Sequence, residues 1–112
     1  MASDLVLVAE RVATGAALLD QRRPGWAAQV DPTALDMRCR LRAACVLCQL
    51  PGPGALTGRI DELGGPTTQP EAHTWAVAHG LEPEVPDDAA YAALTIAWRA
   101  LVVARRRPGE ER

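Results

Sequence analysis

Three cysteines are the residues of this chain best suited to metal or redox chemistry. Cys39, Cys45 and Cys48 lie close together in the middle of the sequence. A structural zinc site usually has four ligands, so a fourth would have to come from His73, His79 or a carboxylate. A thioredoxin-like Cys-x-x-Cys motif needs a βαβ context, which the sequence lacks. Helical spacing places Cys45 and Cys48 on an apolar face, so we expect buried thiols, no metal and no other cofactor.

Clustered arginines are the second candidate for chemistry. If the clusters converged in space, they could hold phosphates or an acidic partner. The formal net charge of −2 gives no global attraction for nucleic acid, and no nucleic-acid-binding motif accompanies the arginines. Solvated surfaces and helix C-termini are therefore the favoured interpretation of the three clusters, which are Arg22-Arg23, Arg38-Arg40-Arg42 and Arg105-Arg106-Arg107.

A turn that follows the first predicted helix combines two arginines with a tryptophan. Turns lie at the surface, and this composition is typical of an interface hot spot. In the alternative interpretation, Trp26 folds back onto the core and the arginines serve only the helix dipole. If the turn is structural, the acidic loop from Glu82 to Asp88 is the expected interface. The candidate partner-binding residues are Arg22, Arg23, Trp26, Arg38, Arg40 and Arg42.

Signatures of catalysis are absent from the sequence. It contains no nucleophile elbow, no P-loop and no dinucleotide fingerprint. No serine or threonine is flanked by a histidine and an acid, and the acidic pairs Asp61-Glu62 and Asp87-Asp88 are explained by a helix surface and a helix cap. We therefore expect that the protein is not an enzyme.

The secondary-structure elements that must position these residues are all predicted to be helices, because β-branched residues are sparse and no segment strictly alternates apolar and polar residues. The sequence predicts one compact all-α domain over residues 1–112, with about four to six helices, no sheet and a frayed tail at 108–112. Asp31 and Asp87 are predicted helix caps, and Thr68 begins a predicted capping box. The predicted helices span about 4–21, 32–37 (continuing or bending into 39–50), 56–63, 70–79 and 88–107.

The first helix is predicted to pack on more than one side, because a second apolar set widens its hydrophobic face. That second set consists of Val6, Ala9, Ala13 and Ala17. Gly15 would allow another backbone to approach closely, and Gly80 stands where a left-handed C-cap belongs.

Composition limits the cellular setting. All twelve basic residues are arginine, and Lys, Asn and Phe are absent, which indicates a GC-rich genome such as that of an actinobacterium. Because arginine codons are GC-rich, such a genome enriches arginine without selection for a partner. The arginine content is therefore weak evidence for an anionic partner. No apolar run approaches the roughly 20 residues that span a bilayer, and no secretory signal is present, so we expect a cytoplasmic protein without a membrane partner.

Several short strings resemble a group of small uncharacterised all-helical proteins from actinobacteria and their phages. They are Leu18–Trp26, Val30-Asp31 with Leu35–Met37, Cys45–Leu50 and Asp87–Arg99. The group has a glycine where this chain has Cys48, which further weakens a thiol-based site. The resemblance implies a phage or prophage setting. We expect a small protein that binds a host or phage protein and inhibits or modulates a host system; a nucleic-acid-associated regulator is the alternative, and a homodimer stays open.

Overall fold

Two long helices, one near each end of the chain, form the frame of the protein. In the computed structural model, which describes residues 2–38, 44–50, 60–66 and 68–106, α1 spans Ala2–Arg22 and α4 spans Asp88–Arg105. Between them lie a 3₁₀ helix at Trp26–Gln29, α2 at Val46–Gln49 and α3 at Glu71–Ala78, and residues 60–62 are also helical. Helix α1 packs against α3 and α4, and the 3₁₀ helix packs against α4.

The predicted compact all-α fold is confirmed, and the described residues contain no strand. The radius of gyration is 13.4 Å, close to the roughly 13 Å expected for a folded chain of about 100 residues. The predicted tail at 108–112, together with Cys39, Arg40 and Arg42, lies outside the described residues.

Helix α1 buries one face and exposes the other. Val12, Ala16 and Leu19 are buried against the neighbouring helices. The second apolar set faces solvent, since Val6 is 57 % exposed and the three alanines are exposed as well. The prediction that α1 packs on more than one side was wrong. Exposed alanines and an occasional exposed valine are ordinary on protein surfaces, so this face needs no cover.

Two glycines allow α1 and the end of α3 to meet backbone to backbone. A Cβ atom on Gly15 would lie 2.1 Å from the carbonyl oxygen of His79. Gly80 has a φ of +68°, and a Cβ there would lie 2.8 Å from the backbone of Val12. The N–H of Leu81 donates to the carbonyl of Ala76 at 2.8 Å, and the N–H of Gly80 donates to that of Val77 at 3.1 Å, which is the Schellman pattern. The predictions for Gly15 and Gly80 are confirmed.

Helix α4 carries the centre of the core. Its cap is the predicted one, because the Asp87 side chain accepts a hydrogen bond from the N–H of Ala90 at 2.8 Å. Leu94, Trp98 and Val102 are buried at helical spacing. The Trp98 Nε1 donates to the carbonyl of Gly80 at 2.7 Å, and its ring meets that of Trp26 edge-on with centroids 5.8 Å apart. Both indole rings therefore have the contacts that buried tryptophans require.

The predicted helix at residues 32–37 does not form. Asp31 accepts hydrogen bonds from both the N–H and the hydroxyl of Thr33, which starts a turn instead of a helix. Side chains of helix α4 then hydrogen-bond to the backbone that follows Asp31 and keep it non-helical. Arg99 donates to the carbonyls of Pro32 and Leu35, and Thr95 accepts from the N–H of Met37. These partners come from a distant part of the chain and replace the internal bonds of a helix.

Two further local predictions were wrong. The continuation into 39–50 is helical only from Val46 to Gln49 within the described residues, with Cys45 as its N-cap residue. The predicted capping box at Thr68 is not made, because Pro70 is the N-cap residue of α3 and no side chain caps it.

Candidate protein-binding groove

An open groove lies between the first half of α1 and the first turns of α4, and residues 82–87 form one of its sides. We call it the α1–α4 groove. Its volume is about 330 Å³. Its described apolar lining comes from both helices and from the loop, namely Leu7, Val8, Pro83, Val85, Ala89, Ala90, Ala93 and Leu94.

The side chains that line the groove are short on α4 and longer on α1. Ala90 and Ala93 line it from α4, and Leu7 and Val8 line it from α1. The apolar surface continues to the protein exterior, since Leu7 is 40 % exposed and Val85 is 64 % exposed. Exposed apolar surface with a polar rim is typical of an interaction site.

The rim of the groove is acidic. Glu82, Glu84 and Asp87 all line it, and Arg11 is the one cation among its described lining residues. Arg11 Nη2 lies 3.6 Å from Glu84 Oε1, and Glu82 Oε1 lies 3.0 Å from His73 Nδ1. The Glu84 side chain is largely exposed, so this ion pair is open to solvent and weak.

The acidic loop is fixed at both ends. The Schellman turn at Gly80 holds its start, and the cap of α4 at Asp87 holds its end. Within the loop, the N–H of Asp87 donates to the carbonyl of Val85 at 2.8 Å, and Pro83 is buried. The rim is therefore largely organised before any partner arrives, which lowers the entropy cost of binding.

Trp26, the central residue of the predicted hot spot, belongs to the core. Its side chain is 2 % exposed, and its Nε1 donates to Asp20 Oδ1 at 2.9 Å. The alternative in which Trp26 folds back is the one that the structure favours. Asp20 also accepts a hydrogen bond from Arg105, and this bond is the main reason why the pKa of Asp20 lies below its ordinary value.

The other described arginines predicted to bind a partner are at the surface, and Arg23 and Arg38 form ion pairs within the protein itself. Arg23 Nη1 lies 2.9 Å from Glu62 Oε1, and the exposed Arg22 has its guanidinium beside Gly64. Arg38 Nη2 lies 2.9 Å from Asp88 Oδ1. The partner-binding predictions for Arg40 and Arg42 fall outside the described residues.

The three arginine clusters do not converge on one surface in the part of the chain that is described. Arg38 is paired at the first residue of α4, whereas Arg105 lies at its last residue. The helical rise between those two positions on α4 is about 25 Å. Arg106 donates to the carbonyl of Val30 at 2.9 Å, so this arginine also has a structural partner.

The cysteines give no site among the described residues. Cys45 is buried and Cys48 is half-buried, and both are thiols. No group of three or more potential metal ligands comes together in residues 2–38, 44–50, 60–66 and 68–106. Over the same residues, no helix is both long enough and apolar enough to cross a bilayer.

Comparisons with known proteins add no function. No protein-family model, no curated protein and no solved structure matches this chain.

Sequence reasoning identified one side of this groove and missed the other. The loop from Glu82 to Asp88 was the expected interface if the arginine turn proved structural. Leu7, Val8 and Arg11 were not predicted to form a site, because nothing in their spacing distinguishes groove lining from core. The closely spaced alanines of α4 were the available signal for a depression in the surface.

Proposed function

We propose that this protein acts by binding another protein, and that the α1–α4 groove is its docking surface. The observation that carries the proposal is an exposed apolar groove beside an acidic loop that is fixed at both ends. The proposal is non-catalytic: the partner is a cytoplasmic host or phage protein, and binding inhibits or modulates a host system. The resemblance to proteins of actinobacteria and their phages supports this setting.

A role in nucleic-acid binding receives less support. Four described arginines of the predicted clusters contact carboxylates or a backbone carbonyl of the protein itself, namely Arg23, Arg38, Arg105 and Arg106. The groove is rimmed by carboxylates, which repel phosphates. Partner capture with and without nuclease separates the two functions.

Two exposed residues of equal exposure give a matched pair of variants for that experiment. Val85 lines the groove and Ile96 lies elsewhere on α4, and each is 64 % exposed. Val85→Arg and Ile96→Arg add the same charge at surface positions, so both should leave stability within about 0.5 kcal/mol of the wild type.

The two variants and the wild type serve as baits in a lysate of a GC-rich actinobacterial host, with nuclease present or absent. We expect the wild type and Ile96→Arg to retain the same protein in both conditions, and Val85→Arg to lose it. Retention by Val85→Arg would contradict docking in the groove. Loss on nuclease treatment would favour the nucleic-acid alternative.

A further inference from the structure

We infer that the α1–α4 groove takes a basic amphipathic helix of the partner protein, an inference that rests on the proposed function. The shape of the groove, its backbone environment and its charge all favour such a partner.

The shape of the groove suits a few anchoring side chains. Its volume of about 330 Å³ is at the lower end of the roughly 300–1,000 Å³ typical of small-molecule sites. It is also open, and apolar surface continues past its edge at Leu7 and Val85. A partner that inserts one or two apolar side chains and covers the surrounding surface would use all of this area.

The backbone environment favours a helix over an extended segment. An extended peptide binds either by adding a strand to a sheet edge or, as a polyproline II segment, in an aromatic-lined groove. No aromatic residue is among the described residues that line this groove. The described part of this chain has no strand, and both long walls of the groove are helices whose backbone groups already bond internally. A helix satisfies its own backbone and presents anchors at i, i+3 or i+4 and i+7.

The charge of the rim selects a basic helix. Three carboxylates and one guanidinium line the groove, which leaves a surplus of two negative charges among the described residues. The guanidinium of Arg11 pairs with Glu84. Glu82 also contacts His73 and Asp87 also caps α4, and both carboxylates line the groove as well. Arginines or lysines that flank the apolar anchors of a partner would lie against these carboxylates, and acidic residues there would be repelled.

A pair of synthetic peptides provides the probe. One peptide of about 18 residues carries leucines at the anchor spacing, four arginines beside them and alanines elsewhere, so that its length and alanine content favour a helix; the other replaces every arginine by glutamate. Binding to the full chain is measured by fluorescence anisotropy at about 0.15 M salt. We expect the arginine peptide to bind at least about tenfold more tightly than the glutamate peptide, with an affinity that falls as salt rises.

Charge variants of the rim should shift that affinity in opposite directions. Glu82→Gln with Glu84→Gln should weaken the arginine peptide about threefold to tenfold, which corresponds to two partly exposed ion pairs. Arg11→Gln should tighten it about twofold, because a like charge is removed from the groove.

The matched control removes two negative charges near the far end of α1 from the groove, as Asp61→Asn with Glu62→Gln. Neither residue lines the groove, and Glu62 pairs with Arg23, just past the last residue of α1. Screening beyond about 8 Å should keep the change in affinity below twofold. Val85→Arg should abolish binding and Ile96→Arg should preserve it, which places the peptide in the groove.

The outcomes separate this inference from the proposed function. Equal binding of the two peptides, or equal effects of the rim and control variants, would overturn the basic helix. Absence of peptide binding would overturn it too. In each of these cases, if Val85→Arg still abolishes capture of the natural partner, the groove remains the proposed docking surface. If Val85→Arg does not affect that capture, both the proposed function of the groove and the basic helix are refuted.

Discussion

For the variant Gly15→Ala, helix propensity and packing predict opposite changes in the free energy of unfolding. In the middle of an exposed helix, alanine is more favourable than glycine by about 0.8–1.0 kcal/mol. Gly15 lies in the middle of α1, so propensity alone predicts that the variant is more stable than the wild type. The structure predicts the reverse, because the added Cβ would lie 2.1 Å from the carbonyl oxygen of His79 and 3.1 Å from the Trp98 ring.

The expected loss of stability follows from how far the two backbones must move apart to accommodate the new Cβ atom. Real Cβ contacts shorter than 3.0 Å are essentially never seen, so the α1 and α3 backbones would have to separate by about 0.9 Å. Overpacking typically costs about 1–3 kcal/mol, and a clash with a backbone atom, which cannot rotate away, lies at the upper end, about 2–3 kcal/mol. The propensity gain offsets about 1 kcal/mol of it. We expect a net loss of about 1–2 kcal/mol and a melting temperature lower by about 5–10 °C.

Urea denaturation and thermal melting followed by circular dichroism measure this loss. Ala13→Gly, at an exposed position of the same helix, calibrates the propensity contribution and should itself destabilise by about 0.5–1 kcal/mol. A Gly15→Ala protein as stable as the wild type, or more stable, would refute the close backbone approach of α1 and α3.

Three further predictions concern the core, the acid response and the thiols. Trp98→Ala should cost about 3–5 kcal/mol in urea denaturation, because the ring is fully buried; an unchanged midpoint would place Trp98 outside the core. The carboxylate of Asp20, whose pKa the Arg105 hydrogen bond holds below its ordinary value, should stabilise the fold by less than about 1 kcal/mol. That contribution is complete above the unfolded pKa and is lost as the pH falls through the lower folded pKa. The difference in unfolding midpoint between the wild type and Asp20→Asn should therefore shrink as the pH falls. A difference that does not depend on pH would contradict a stabilising role for the Asp20 carboxylate. Cys45 should react with iodoacetamide more slowly than Cys48, because it is the more buried thiol; peptide mass spectrometry at successive times reads the order, and rapid labelling of Cys45 would contradict the core position.

Local signals in the sequence predicted two helix ends correctly, at Gly80 and Asp87, and two incorrectly, at Asp31 and Thr68. Asp87 caps α4 and Gly80 ends α3, because each acts on backbone groups within a few residues of itself. The stripe that buries Trp98 was also readable, since helical periodicity is a local property.

Features that depend on distant partners could not be read from the sequence. The absence of a helix at 32–37 results from bonds to Thr95 and Arg99, and the sequence around Asp31 carries no trace of them. The sequence likewise cannot tell whether an arginine will meet phosphate, carboxylate or carbonyl, as Arg106 at the Val30 carbonyl shows. The alanines of α1 matched a buried face, but their small size made exposure equally acceptable.

The hydrogen bonds from α4 to the loop at residues 30–38 also set an order of events during synthesis. The bonded residues are separated by 58 to 76 positions in the chain. At about 5–20 residues per second, the loop leaves the ribosome roughly 3–15 s before the side chains that shape it. Helix α1 can form early because its backbone hydrogen bonds join residues within the helix. The loop can adopt its final conformation only after Thr95, Arg99 and Arg106 have been synthesised. A nascent chain stopped before α4 should therefore contain a helical α1 beside a loop that is still open to proteases.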